Sequence, residues 1–254
     1  MNFSLGSYVV TINVATVDAL LMLVKSNFLT DRGFALSTLN LDHLVKLSSS
    51  QPFREAYAAQ DLIVADGNPI VWLSRLAGTP VKLVPGADMV IPLARLAANT
   101  GVPVALVGST SQTLAKTSAL LEKQIPGLSV VNCIAPNFGF DPFGKEADAI
   151  YTQLETSGAR LCFVALGAPK QEIFAARGRA AVPNIGFASI GAGLDFIAGE
   201  QTRAPGWVRA MALEWAWRLF TNPRRMGVRY LQCALILPRH MRNALRDRLQ
   251  HRTE

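Results

Sequence analysis

Short apolar segments alternate with longer amphipathic stretches through the first 200 residues of the chain. Several apolar segments are continuous, which is typical of strands covered on both faces. The pattern predicts strands at 8–12, 34–37, 62–65, 81–84, 104–107, 129–134, 161–166 and 185–189. It predicts helices between them at 16–26, 40–49, 68–77, 88–99, 111–124, 143–157 and 170–180. This alternation indicates an α/β layered, Rossmann-like fold with a mainly parallel sheet.

Candidate end signals accompany these helices. Asp88 and Ser111 stand where an N-terminal cap is needed. Glycines at 78, 101 and 127 follow the helical patterns and are typical of C-terminal stops.

The chain changes character after residue 200. Three of its four tryptophans lie within eleven residues, beside arginines, and Pro223 and Pro238 each predict the start of a further helix. We therefore predict two domains, an α/β core over 1–200 and a C-terminal helical appendage over 201–254.

The positive charge is concentrated in that appendage. Residues 1–200 carry a net charge of −1, whereas residues 201–254 contain 11 arginines, three acids and no lysine. Arginine without lysine favours forked recognition of phosphate, and arginine beside tryptophan favours the headgroup level of a bilayer. A solvated cationic helix face, or aromatic side chains packed on the core or on a partner subunit, would explain the same pattern.

Residue usage excludes several classes of protein. Half of the residues are hydrophobic and 17% are charged, so a disordered polymer is excluded. Three widely spaced cysteines and three histidines do not make a disulfide scaffold or a multi-histidine metal centre, and a reducing cytosolic compartment fits them. The sequence contains no run of about 18 uninterrupted apolar residues, so it does not predict a helix that spans a membrane.

Polar residues and glycines gather where predicted strands lead into helices, which is where open α/β sheets bind ligands. Each junction also has a structural explanation: Thr38 and Asn40 are suited to helix capping, Asp66-Gly67 is a common turn pair, and Asp88 fits a cap. Gly108-Ser109-Thr110 opens a helix whose free N–H groups suit a phosphate, but neither a dinucleotide fingerprint nor a P-loop is present. The fifth junction runs from Gly167 to Glu172.

Taken in order, these segments resemble a known family. The matching strings are Thr38-x-Asn40, Ala-Asp66-Gly-x-Pro, Gly86-x-Asp88, Gly-x-Pro169-Lys-Gln171-Glu172, Gly191-Ala-Gly-x-Asp195-Phe-x-Ala-Gly199, Arg203-Ala-Pro-x-Trp207, Glu214-Trp215-x-x-Arg218-Leu and Pro223-Arg-Arg-x-x-x-Arg229-Tyr230. Together they resemble the WecG/TagA/CpsF glycosyltransferases, glycosyltransferase family 26, over about residues 8–235.

The resemblance implies inverting transfer of a sugar from a UDP-sugar to a polyprenyl-diphosphate-linked sugar, in bacterial exopolysaccharide or cell-surface polysaccharide synthesis. It places the general base at Asp66, with Thr38 and Gln171 as the other catalytic residues. We assign nucleotide-sugar binding to residues at the junctions, namely Asn40, Gly86, Asp88, Gly108, Ser109, Gly167, Lys170 and Glu172. The acceptor diphosphate is assigned to arginines of the appendage, namely Arg203, Arg218, Arg224, Arg225 and Arg229.

One departure from the family bears on the donor. Many relatives carry arginine in an R-V-x-G-x-D string, but here the string is Leu83-Val84-Pro85-Gly86-Ala87-Asp88. The lost charge suggests a donor different from UDP-N-acetylmannosamine, and UDP-glucose is our preferred expectation, with UDP-N-acetylmannosamine and its uronic acid as the alternatives.

No cofactor is expected. The chain has no D-x-D motif to hold a metal on the leaving diphosphate, and the nearest string, Glu146-x-Asp148, lies in a predicted helix. Helix N-termini and arginines are the remaining candidates for that charge, which favours a metal-independent reaction.

The expected location is cytoplasmic and peripheral, on the inner face of the plasma membrane, with contact through the C-terminal helices. A homo-oligomer would fit the same appendage. Two other functions compete: a catalytically degenerate nucleotide-sugar or lipid-binding regulator, and a basic nucleic-acid-binding module. Retention of Asp66, Thr38 and Gln171 argues against the first, and the −1 core without any nucleic-acid motif argues against the second.

Overall fold

The computed structural model describes residues 1–6, 8–221 and 223–250, without the side chains of residues 209, 210, 218 and 225. Six parallel strands form one sheet in the order β4-β3-β8-β7-β5-β6. They are β3 (Phe34–Leu39), β4 (Leu62–Ala65), β5 (Val104–Gly108), β6 (Val130–Ile134), β7 (Leu161–Ala165) and β8 (Gly186–Ser189). All but β6 are almost completely buried, as their continuous apolar sequences predict.

The helices that follow the strands are α1 (Val17–Leu29), α2 (Leu41–Ser49), α3 (Gln51–Ala58), α4 (Asn68–Leu76), α5 (Gly86–Asn99), α6 (Ser111–Gln124), α7 (Lys145–Thr156), α8 (Lys170–Ala181) and α9 (Gly193–Ala198). The C-terminal part contains α10 (Gly206–Ala210), α11 (Glu214–Thr221) and α12 (Pro223–Gln250). The predicted α/β, Rossmann-like class is therefore confirmed, including a helical C-terminal region.

Alternate side chains of the strands enter two cores. Leu36, Leu106 and Phe163 belong to a cluster with α1, α5, α6 and α9. Ala35, Val107 and other side chains of the opposite face belong to a cluster with α7 and α8. A third cluster joins α2, α3 and α4 to the antiparallel hairpin of β1 (Asn2–Leu5) and β2 (Tyr8–Thr11), and α12 packs against it through Ala244.

Several local predictions are wrong. Residues 81–84 form no strand, because the N–H groups of Lys82 and Val84 donate to separate segments, to Ala15 O and Ala65 O, both at 2.8 Å. Thr110, not Ser111, caps α6, and α5 begins after Pro85, which leaves Asp88 in its first turn. Pro238 starts no helix, because it lies inside α12.

The order of connections locates the ligand crevice. From β3 the chain moves outward to β4 at one edge, whereas from β5 it moves outward to β6 at the other. The carboxyl ends of the strands between these two departures face a shared crevice, which is where doubly wound folds bind ligands.

Candidate active site

Asp66 and Thr38 lie at neighbouring strand ends. The N–H of Asp66 donates to the carbonyl of Leu39 at 2.8 Å, which fixes the turn after β4 beside the end of β3. Thr38 is 5% exposed, and Asp66 is half-buried. The structure therefore brings the predicted base and the predicted threonine to the same edge of the sheet.

The N-terminus of α5 lies against these residues. A Cβ atom added to Gly86 would come within 3.2 Å of Thr38 Cγ2 and 3.1 Å of the Ser189 carbonyl oxygen, so the close approach favours glycine. The approach directs the first, unpaired N–H groups of a 14-residue helix toward the carboxyl edge, where they favour negative charge.

Gln171 joins two loops of the crevice. Its Oε1 accepts the N–H of Gly191 at 3.1 Å, and its Nε2 donates to Glu172 Oε1 at 2.8 Å. Both residues are buried, Gln171 with 3% of its surface exposed and Glu172 with none. Gln171 therefore ties the loop after β7 to the loop after β8, and Glu172 lies behind it.

A buried chain of polar groups continues from Glu172. Nε2 of His43 lies 4.0 Å from Glu172 Oε1, and Nδ1 of His43 lies 2.6 Å from the hydroxyl of Tyr57. That hydroxyl donates to the carbonyl of Thr38 at 3.1 Å, so Tyr57 joins His43 to β3, and Nε2 of the histidine faces the glutamate.

Burial sets the protonation states of the buried polar groups Glu172 and His43. Burial raises the pKa of Glu172 to about 7, and burial, helped by the nearby Lys46, lowers the pKa of His43 to about 3. The histidine is therefore neutral at pH 7, while the glutamate titrates near that pH.

The loop after β5 is held from the opposite side. Ser109 Oγ donates to Asp195 Oδ1 at 2.6 Å, and Gln201 Nε2 donates to the other oxygen of Asp195 at 2.7 Å. Gly108 has a φ of 118°, and a Cβ atom there would lie 2.3 Å from the carbonyl oxygen of Ala165, so only glycine fits. Asp195 lies in one of the family-like strings, and its long-range hydrogen bond to Ser109 gives it a role that the sequence alone does not indicate.

The remaining junction residues have structural partners as well. The Asn40 side chain accepts the N–H of His43 at 2.9 Å and caps α2, as its position before the helix also predicts. Lys170 Nζ donates to the carbonyl of Phe140 at 2.7 Å, and Gly167 turns the chain with a φ of 71°. Sequence reasoning missed Asp42, His43 and Tyr57, because nothing in their local sequence marks them.

Two predicted acceptor arginines form ion pairs with the core. Arg203 binds Asp88 through Nη1, and Arg229 Nη2 lies 2.8 Å from Asp42 Oδ2. The hydrogen bond that Arg203 donates to Asp88 raises the pKa of Arg203, and the carboxylates of Glu214 and Asp66 raise it further. Arg203 therefore lies within electrostatic reach of the predicted base.

Among the other acceptor arginines, Arg224 is exposed. The side chains of Arg218 and Arg225 lie outside the described part of the chain.

Metal ligands do not gather anywhere in the described residues. No group of three or more His, Cys, Asp or Glu side chains there is placed to hold an ion. Metal independence remains a prediction that depends on the reaction itself.

The model of the glycosyl transferase WecG/TagA/CpsF family matches residues 7–254 of this chain. The chain belongs to that family. It is therefore a glycosyltransferase of cell-surface polysaccharide synthesis, and the general partners of such an enzyme are a nucleotide-sugar donor and a lipid-linked acceptor. None of this glycosyltransferase's described helices is long and apolar enough to cross a membrane.

Proposed function

We propose that this glycosyltransferase transfers a hexose, with inversion, from a UDP-sugar to a sugar carried on polyprenyl diphosphate. The observation that carries the proposal is the position of Asp66, at the carboxyl edge beside Thr38 and the N-terminus of α5, in a chain of this family. An open α/β sheet binds its ligand at this place, and a carboxylate there can serve as a base.

The reaction requires one base. Asp66 takes the proton from the attacking hydroxyl of the acceptor sugar as the new C–O bond forms at the anomeric carbon. The bond from that carbon to UDP breaks on the opposite face, and UDP leaves with its bonding electrons. The transition state is oxocarbenium-like, by analogy with glycoside cleavage: positive charge develops on the sugar as UDP departs, while the proton of the acceptor hydroxyl passes to Asp66.

The leaving diphosphate needs positive charge. The N-terminus of α5, at Gly86, and that of α6, after Ser109, both supply free N–H groups and helix dipoles at the crevice. We assign the acceptor diphosphate to Arg224, Arg218 and Arg225 of the appendage. Arg203 and Arg229 are engaged by Asp88 and Asp42, and we assign them to docking of the appendage.

Metal independence follows from this assignment, because protein groups carry the charge. We expect EDTA to leave most of the activity, measured as UDP release, unchanged. Complete loss on chelation, restored by Mn²⁺ or Mg²⁺, would contradict the assignment and make Asp88 or Asp195 a candidate ligand.

The donor we favour is UDP-glucose. Leu83 stands where many relatives have arginine, and its apolar side chain is 38% exposed rather than paired with a charge. A donor with an acetamido or carboxylate group would lose the contact that such an arginine makes, so UDP-N-acetylmannosamine and its uronic acid are the alternatives to be tested.

The appendage is assigned to the cytoplasmic face of the plasma membrane. One face of α12 exposes an apolar stripe, Val228, Leu231, Leu235, Leu245 and Leu249. Beside it, Arg239, Arg242 and Arg246 line a cavity of about 290 Å³ with Asn243. An amphipathic helix of this composition suits the headgroup region of an anionic membrane.

A donor screen tests the function directly. Purified protein is mixed with a synthetic short-chain prenyl-diphosphate sugar and each of the three UDP-sugars, and both UDP release and product mass are measured. We expect UDP-glucose to give a product heavier by one hexose. Binding of UDP-sugar without any product, for every donor and acceptor, would instead favour the regulatory alternative.

A further inference from the structure

One buried carboxylate outside the strand ends joins three elements. Asp42, in the first turn of α2, is 7% exposed, and its Oδ2 lies 2.8 Å from both Lys46 Nζ and Arg229 Nη2. Arg229 comes from α12, so the contact crosses from the core to the appendage. The same Lys46 Nζ donates to the carbonyl of Ala168 at 3.2 Å.

Ala168 lies in the loop that leads from β7 to Gln171. A continuous path therefore runs from Arg229 through Asp42 and Lys46 to the residues that hold Gln171. Burial alone would raise the pKa of Asp42, but its two cationic partners reverse that effect and lower it below the usual range. Asp42 is therefore ionised at pH 7.

The two cations depend on each other through the carboxylate. While Arg229 neutralises part of the charge of Asp42, the ammonium of Lys46 can keep a second donor on the carbonyl of Ala168. Lys46 Nζ already lies 2.8 Å from Asp42 Oδ2, so without Arg229 the buried carboxylate holds this ammonium more strongly, at the expense of the longer contact to Ala168, because a buried charge with less compensation is unfavourable. A change in the position of α12 therefore changes the hydrogen bond between Lys46 and the carbonyl of Ala168.

We propose that Asp42 is a positioning residue that couples docking of the C-terminal helix to the loop that leads from β7 to Gln171, at the start of α8. This inference rests on the proposed function for its catalytic meaning, since Ala168 packs against the cluster that contains Leu39 and Ala65, and Ala65 directly precedes the predicted base in the chain. Arg229 acts on the loop only through Asp42, and Lys46 delivers the effect to the carbonyl of Ala168.

Hydrogen exchange of the full-length protein, without substrate, tests the coupling. Asp42→Asn and Lys46→Met should each raise the exchange rate of amides 166–172 by roughly tenfold, while the amides of β3 and β7 keep their protection. Lys46→Met leaves the pair of Asp42 and Arg229 intact, so it tests the loop contact alone. Asp42→Glu, which keeps the charge, should restore most of the protection.

A double-mutant cycle tests the route from the appendage. Arg229→Gln should raise exchange of the same loop by roughly threefold in the wild-type background, and by nothing further in the Asp42→Asn background. The matched control is Asp31→Asn, which removes the exposed partner of Arg160 before β3 and should leave the loop unchanged.

Three results would overturn the proposal. They are an unchanged loop in both Asp42→Asn and Lys46→Met, a rise that extends equally to β3 and β7, and additive effects of Arg229→Gln and Asp42→Asn. None of these hydrogen-exchange measurements requires turnover. A failure of the donor screen would therefore leave the coupling standing, and a failure of the coupling would leave the transfer reaction standing.

Discussion

Asp66 is the single side chain on which the proposed chemistry depends most. Asp66→Asn keeps the size of the side chain but cannot take a proton, so we expect turnover to fall by roughly 10²–10⁴-fold. The thermal midpoint should stay close to that of the wild-type protein, because the N–H bond to Leu39 belongs to the backbone. UDP release measures the effect, and near wild-type turnover in the Asn variant would make Asp66 a turn residue.

Glu172 gives a second prediction for a single residue, this time on stability. Its pKa rises from the ordinary 4.5 to about 7 on folding, so between those values the folded protein holds more protons than the unfolded chain. Stability therefore falls as the pH rises through that window and is level above it. Glu172→Gln removes this titration. The free energy of unfolding of the variant, relative to wild type, should rise by roughly 1 kcal/mol per pH unit up to about pH 7.

Urea denaturation at stepped pH measures that difference. His43 contributes in the opposite direction, since its pKa falls from 6.5 to about 3 on folding, but it is present in both proteins and largely cancels. A difference between variant and wild type that stays constant from pH 4.5 to 8 would show that Glu172 is already ionised in the fold.

The loop between β5 and α6 permits a matched test at the scale of one element. Ser109 has a φ of 51°, in the left-handed region that disfavours side chains, and its hydroxyl bonds Asp195. Ser109→Ala and Ser109→Gly both remove the hydroxyl, but only glycine relieves the backbone. We expect the Gly variant to be more stable than the Ala variant by about 1 kcal/mol in urea denaturation.

The KM for the UDP-sugar should rank the same two variants in the opposite order to their stability. If the bond to Asp195 holds the N-terminus of α6 for the diphosphate, both variants should raise the KM for the UDP-sugar, and the more flexible Gly variant should raise it more. Equal stability of the two variants, or unchanged KM in both, would contradict the role given to this loop.

At the scale of elements, the apolar pattern predicted strands and helices better than the residues that mark helix ends predicted their limits. The six strands of the sheet were placed within a few residues, because each is a continuous apolar run that burial on both faces requires. Residues 81–84 have the same apolar pattern but form no strand, because their N–H groups donate to two different segments instead of to one neighbouring strand. The sequence predicts a helix start at Pro238, but α12 continues through it, and His240 and Ala244 beyond it remain buried on the core.

The active site also has features that the local sequence predicts and features that it does not. Strand ends that carry Thr38, Asp66 and Ser109 could be predicted to converge, because parallel strands place their carboxyl ends at one edge. The pairs between Arg203 and Asp88 and between Arg229 and Asp42 could not, because they join residues far apart in the chain and depend on how the appendage docks. The role of a charged residue is set by its partner, which local sequence does not give.

For the whole molecule, the packing of α12 decides how its function can be tested. Met226, Cys233, His240 and Ala244 are buried, and the ring of His240 lies 5.9 Å from that of Phe3 in the hairpin. Deleting residues 201–254 would uncover that apolar surface, so a truncation would confuse loss of membrane binding with loss of folding. Point variants on the exposed face avoid the problem.

The exposed face of α12 should bind membranes through two separable contributions. Replacing Arg242, Arg246 and Arg248 by Gln removes about 1 kcal/mol each of attraction to anionic lipid, so flotation with phosphatidylglycerol vesicles should fall by roughly 100-fold in affinity. Leu231→Gln with Leu235→Gln should weaken flotation on neutral and anionic vesicles alike, because those side chains contribute buried apolar area. Arg224→Ala with Arg225→Ala should reduce turnover more than flotation.

The control must remove the same charge elsewhere. Lys25, Arg95 and Lys123 are exposed on helices of the core, and their triple Gln variant lowers net charge equally. If a positive protein were simply attracted to a negative surface, this control would lose as much flotation as the α12 triple variant. We expect it to keep most of its flotation, because the attraction requires cations beside the apolar stripe. Should the α12 variants float normally but change mass in sedimentation, the stripe is an interface between two copies of the chain, and membrane contact must lie elsewhere.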